Sequence, residues 1–171
     1  MLHLQQYYVS MFIVKNQQGK MDVSYSKSIY YNVRLTSRYI KAFIAQILEH
    51  LNLGLTTDEL FTLDILRCDG PMCQRDLAKL LFKDRANTGK IAQCLEEKGL
   101  IKITVEQKVK RLVKNLSLTK KGKELLQHIT KVNQPVLDKI SEKFSKDEYL
   151  TLINILTKII TEIKPILKTQ I

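Results

Sequence analysis

Lysine and arginine are the residues whose number and spacing point most directly to a chemistry. The chain has 28 of them against 17 acids, a formal net charge of +11. Fourteen lie within 71–123, where only five acids accompany them, so this segment carries +9. Residues 1–70 and 124–171 carry +1 each. A charge confined in this way suits a polyanion, because each ammonium or guanidinium group can displace condensed counterion from a phosphate. Nucleic acid is the first candidate and an anionic membrane surface the second. The densest part is Lys98, Lys102, Lys108, Lys110, Arg111, Lys114, Lys120, Lys121 and Lys123.

The other reactive side chains are sparse. Cys68, Cys73 and Cys94 are an odd number, which is no disulfide framework and points to a reducing cytoplasm. Cys68 and Cys73 flank the Asp69-Gly70-Pro71 turn and are the candidate redox pair. Cys73 stands at a helix start, where the dipole favours a thiolate. Cys94 falls on an apolar edge and reads as core. His3, His50 and His128 lack metal-ligand spacing with these cysteines, so no metal is expected. No Gly-rich phosphate loop, nucleophile motif or paired-carboxylate motif is present, so neither an enzyme nor a cofactor is expected. No apolar run approaches the roughly 18 residues of a membrane span, and the start lacks the pattern of a secretory signal.

The elements that must position these groups follow from periodicity. A chain of 171 residues with 44% hydrophobic content can bury one real core, and six glycines and three prolines favour helices over a many-turned β fold. Residues 1–20 fit poorly with the rest and form an extension, or Met21 is the true start. A long amphipathic helix is expected over 24–52, with Ile29, Val33, Ile40, Ile44, Ile47 and Leu51 on one stripe and a stop at Asn52-Leu53-Gly54. Thr56-Thr57-Asp58-Glu59 reads as a capping box for a short helix with Leu60, Leu63 and Leu66 inward. A second short helix is expected from Cys73 to Leu81 and a third over 84–98, stopped by Gly99. At 1.5 Å per residue the third is roughly 22 Å long, enough to lie in a major groove.

Ile101, Ile103 and Val105 then alternate with polar residues, as do Leu116 and Leu118, which predicts a hairpin. Its connection, 106–111, has no glycine and is expected to be a longer loop. Helices follow from Thr119 onward. Pro135 should kink or break the first of them. Ser145-Lys146-Asp147-Glu148 is a capping box for the last, which is apolar around much of its circumference and suits burial against a second subunit.

Short helix, turn, short helix, turn, longer helix and hairpin, all within the basic segment, is the order of a winged helix-turn-helix. Particular runs sharpen this reading. Leu77-Ala78, then Ile91 to Leu95-Glu96-Glu97-Lys98-Gly99-Leu100-Ile101, then Leu118-Thr119-Lys120-Lys121-Gly122 resemble the MarR family of transcription regulators. The stretches 53–56 and 145–148 also fit, and the likeness spans about 24–168. It implies a mainly α fold with a β-hairpin wing in one domain over 21–171. In it, 24–52 and 124–168 are dimerisation helices and 55–123 is the DNA-binding lobe.

The resemblance further implies a homodimer on a pseudo-palindromic double-stranded operator, read as a repressor released by a small aromatic or anionic effector. Carried over, Arg85, Ala86, Asn87, Gly89 and Lys90 fall on the base-reading helix, with Lys90 suited to guanine and Asn87 to adenine. Gln74 and Arg75 fall on the bracing helix near phosphates, and Lys108, Lys110, Arg111 and Lys114 on the wing. Tyr30, Tyr31, Tyr39 and Phe43 are candidates to line an effector pocket. The family's usual wing Asp-x-Arg is replaced here by Lys110, Arg111 and Leu112, and its usual Thr by Gly89. Two rival readings are a protein-interaction or non-specific architectural winged helix, and a thiol-based redox regulator.

Overall fold

Helix caps and stops divide the chain in a computed structural model that describes residues 14–15, 21–22, 28–108 and 111–167, with backbone alone at 14–15, 21–22, 108 and 111. Expectations that fall on the rest of 1–27, on Lys110 and on 168–171 lie outside the described residues. The chain forms two compact units, Met1–Thr57 and Asp58–Ile171.

In the first unit, strands β1 (Val14–Lys15) and β2 (Met21–Asp22) pair antiparallel. Helix α1 (Ile29–His50) follows. Ser28 begins it: its hydroxyl accepts from the Tyr31 N–H at 3.1 Å, which satisfies one of the donors a helix start leaves open. The expected stop is present. Asn52 and Gly54 both take positive φ, 49° and 60°. Ile29, Val33, Tyr39 and Ile40 lie exposed along α1.

The second unit begins with α2 (Thr57–Cys68), whose Leu60, Leu63 and Leu66 are buried as the stripe predicts. Next come β3 (Met72–Cys73), α3 (Gln74–Leu81), α4 (Arg85–Glu97), β4 (Ile101–Lys108), β5 (Arg111–Leu118), α5 (Lys120–Ser141) and α6 (Lys146–Ile163). The sheet order is β3-β5-β4, all antiparallel. The core is built from Leu63, Leu77, Ala92, Leu95, Ile101, Leu116 and Leu126.

Three details differ from the sequence expectations. Met72 and Cys73 form a short strand on β5 that the sequence does not announce, since two residues are below any periodicity signal, and Cys73 also stands at the start of α3 as its N-cap. The hairpin ladder does not stop at residue 106. It runs from Ile101 opposite Leu118 to Lys108 opposite Arg111, because each added pair satisfies further backbone donors and acceptors. Of the kink or break expected at Pro135, the break does not occur: helix α5 continues through it. The proline costs one backbone hydrogen bond, which a 22-residue helix tolerates.

The wing is graded along its length. At its root Ile101 is 2% exposed and Leu116 fully buried, whereas Val105 at 57% and Leu112 at 76% stand in solvent towards the tip. The last element, α6, has the full capping box at Ser145 and Glu148 and no buried residue. Its Leu150, Leu152, Ile153, Ile155 and Ile160 are exposed.

Candidate nucleic-acid interface

Helices α3 and α4 make the helix-turn-helix. The turn is possible because Phe82 takes the left-handed conformation, φ 51°, and closes α3. Asp84 then opens α4. Its Oδ1 accepts from the Asn87 backbone N–H at 2.7 Å and its Oδ2 from the Asn87 amide Nδ2 at 2.6 Å. The Asn87 backbone N–H first, aided by its side-chain amide, holds the Asp84 carboxyl below the usual carboxylate range. One amide N–H of Asn87 is thus committed to Asp84.

Arg85, Ala86, Asn87 and Lys90 are exposed on the first two turns of α4. Gly89 is half-buried, and its space is taken by Gln74. The Gln74 Nε2 donates to the Arg85 carbonyl at 3.1 Å, and a Cβ at residue 89 would lie 3.1 Å from the same nitrogen. Glycine therefore lets the Gln74 amide brace α3 against α4. Arg75 is exposed, 3.9 Å from the Asp76 carboxylate, a separation at which a solvated pair contributes little.

On the wing, Lys114 is exposed and lies opposite Val105, while Lys108 and Arg111 are register partners at the outermost pair. Not every cation near the hairpin faces outward. Lys98 Nζ pairs with Glu59 Oε1 of α2 at 2.7 Å, and that glutamate is only 4% exposed. Lys121 Nζ donates to the Lys98 carbonyl at 2.8 Å. Lys98 thus ties α4 to α2, while Lys121, though exposed, is directed to the end of α4. The sequence gives Glu59 a capping role at the start of α2 and does not reveal its pairing with Lys98. A signal of its burial was present all the same: an acid seven residues before Leu66 and four before Leu63, on the inward stripe of α2.

The Cys94 thiol also hydrogen-bonds to Glu59, and this bond, with burial, pushes the thiol pKa up from 9.0. Desolvation opposes the charge on Lys98, but its bond and attraction to Glu59 prevail and raise it above 10.5. Both shifts favour the protonated folded state. Their stabilisation is complete below about pH 9 and is lost as pH rises through the folded values. Urea unfolding at pH 7, 9 and 10.5 should therefore show a falling midpoint above pH 9. A midpoint that rose over this range would contradict the arrangement.

The remaining candidates are more dispersed. Cys68 is exposed and Cys73 half-buried, both free, and the Cys73 thiol donates to Asp76 Oδ2 at 3.0 Å. On α1, the Tyr30 hydroxyl accepts from Arg34 at 3.1 Å and the guanidinium lies 5.3 Å from the ring centre. Tyr39 is exposed, and Tyr31 and Phe43 are half-buried. A cleft of about 550 Å³ in the first unit is lined by Leu48, Gly54, Leu55 and neighbours, and one of about 370 Å³ in the second by Leu66, Pro71, Leu118 and neighbours. None of the four aromatic residues lines either cleft. Among the described residues no group of three or more His, Cys, Asp or Glu could hold a metal ion, and no helix is long and apolar enough to cross a membrane.

A basic helix-turn-helix followed by a hairpin defines a winged helix-turn-helix protein. Solved structures narrow the class. A MarR family transcriptional regulator from Silicibacter pomeroyi is 21% identical, with a TM-score of 0.70 over 80% of this chain and 90% of that one. MepR of S. aureus in its DNA-binding conformation is 25% identical, with a TM-score of 0.67 over 80% and 98%. The S. aureus MepR–DNA complex matches at 25% identity and a TM-score of 0.64, over 82% and 99%. No protein-family model and no curated protein matches the sequence. The chain has a MarR-like winged-helix fold.

Proposed function

We propose that this chain is a transcription regulator that binds double-stranded DNA as a homodimer on a pseudo-palindromic site. One observation carries the reading: an exposed, basic start of α4 beside a basic hairpin, on a fold shared with a regulator solved on DNA. Arg85, Ala86, Asn87, Gly89 and Lys90 face the major groove, where base edges differ in donors and acceptors. Lys108, Lys110, Arg111 and Lys114 follow the backbone from the wing. Arg75 contacts phosphate, and Gln74 steadies the reading helix.

The dimer rests on α1 and α6, whose apolar residues are exposed in the single chain and need a cover. Two lobes so joined read half-sites about one helical turn apart. The protein acts in the cytoplasm as a repressor, without catalytic chemistry, and a small aromatic or anionic effector near Tyr30, Tyr31, Tyr39 and Phe43 releases it.

Selection of sites from random duplexes tests the reading. An enriched inverted repeat is the expected result. Lys90→Ala should then weaken binding to that repeat by about 1–3 kcal/mol and leave non-specific duplex nearly unaffected. Equal loss on both duplexes would remove Lys90 as a base reader. The absence of any enriched sequence would favour an architectural module.

A further inference from the structure

The C-terminal end of α4 is fastened more elaborately than a helix stop requires. The Gly99 carbonyl accepts from the Thr119 hydroxyl at 2.7 Å, and the Leu100 carbonyl accepts from the Thr119 N–H at 3.1 Å. The Lys98 carbonyl accepts from Lys121 at 2.8 Å, and Glu96 Oε1 accepts from the Ile103 N–H at 2.8 Å. These four bonds tie α4 to the first strand of the wing and to the first turn of α5. They leave open how α4 is set against α2. Glu59 supplies that link: its carboxylate, buried in α2, pairs with Lys98 at 2.7 Å and also bonds the Cys94 thiol of α4.

A solvated ion pair would do little here. A buried carboxylate is different, since it needs its charged partner at a fixed point and tolerates displacement poorly. Lys98 is the residue at which α4 ends, so fixing its side chain fixes the exit of the helix. The helix is rigid over its 13 residues, and a tilt at one end displaces Asn87 and Lys90 near the other. We infer that Glu59, acting through Lys98, is a positioning residue that sets the angle of α4 and so the sequence selectivity of DNA binding. This inference rests on the DNA-binding reading above and deepens it.

The test separates positioning from stability. Glu59→Gln keeps the shape and removes the charge. It should lower the ratio of specific to non-specific affinity roughly tenfold while leaving the salt slope unchanged, and Lys98→Arg, which keeps charge and donor, should stay close to wild type. The double variant Glu59→Gln/Lys98→Met leaves no buried unpaired charge, so its stability should recover. Its selectivity should not. If selectivity returned together with stability, or if Glu59→Gln never lost it, the pair would be structural only and the inference would fall.

Amide exchange in free protein gives a readout without DNA. Glu59→Gln should speed exchange at Leu100 and Ile103 by roughly tenfold relative to Leu63, in the core of α2. Unchanged exchange would overturn the inference whether or not the wild type selects a site. Failure of the wild type to select any duplex, with the exchange effect present, would instead count against the DNA reading while leaving the positioning link standing.

Discussion

Gly122→Ala is expected to destabilise the protein by about 3 kcal/mol, against the ordinary gain of roughly 1 kcal/mol for replacing a helical glycine by alanine. The reason is the first turn of α5. Thr119 caps it through a bond from the Gly122 N–H at 3.0 Å, and the same hydroxyl bonds the Gly99 carbonyl. This draws residue 122 onto the Leu100 carbonyl oxygen, which an added Cβ would overlap. The oxygen is backbone and the Cβ is fixed by its own backbone, so no flexible side-chain tip can yield. Gly89→Ala is the matched control: its methyl meets only the Gln74 amide, at 3.1 Å, and should change stability by less than about 1 kcal/mol. Thermal unfolding of the two variants decides the matter, with the Gly122 variant melting roughly 10 °C lower. Equal melting points would mean that the close approach is relieved cheaply.

The second large effect is on DNA affinity. Affinity for duplex DNA should fall about 10³–10⁵-fold between 50 and 200 mM salt, the range for six to ten neutralised phosphates shared by two lobes. The proposed phosphate ligands are Arg75 and the wing residues Lys108, Lys110, Arg111 and Lys114. Lys114→Ala removes one cation from each lobe and should flatten the log–log slope by nearly 2. Lys121→Ala should leave the slope alone, because its ammonium is turned to the Lys98 carbonyl. A slope near zero for the wild type would rule out phosphate neutralisation as the source of affinity. An equal flattening by Lys121→Ala would undo the division of the lysines into inward and outward sets.

Much of this was legible in the sequence, because the strong signals are local. Ser145 and Glu148 spell a capping box, and both halves of it form. Gly99 ends α4 with φ 70°, as a glycine after a helix commonly does. The alternation at Ile101, Ile103 and Val105 marks the strand. What could not be read is long-range. Glu59 and Lys98 stand 39 residues apart, and nothing near either residue says that they meet. Lys98 counts as surface charge by composition and as an internal fastening by geometry. Likewise Gly89, a weakness on helix propensity alone, makes sense only once Gln74 of the neighbouring helix is seen against it.

The graded hairpin has a mechanical consequence. Its ladder of eight pairs, at about 3.4 Å per step, makes an arm about 24 Å long. Among the described residues the fully buried ones, Ile101 and Leu116, lie at the root, so the arm is a cantilever. A rotation of about 10° at that root sweeps the Lys108–Arg111 end through about 4 Å, roughly the spacing between neighbouring strands. Small adjustments where the wing meets α4 and α5 are thereby magnified into displacements of several ångströms at its outer end.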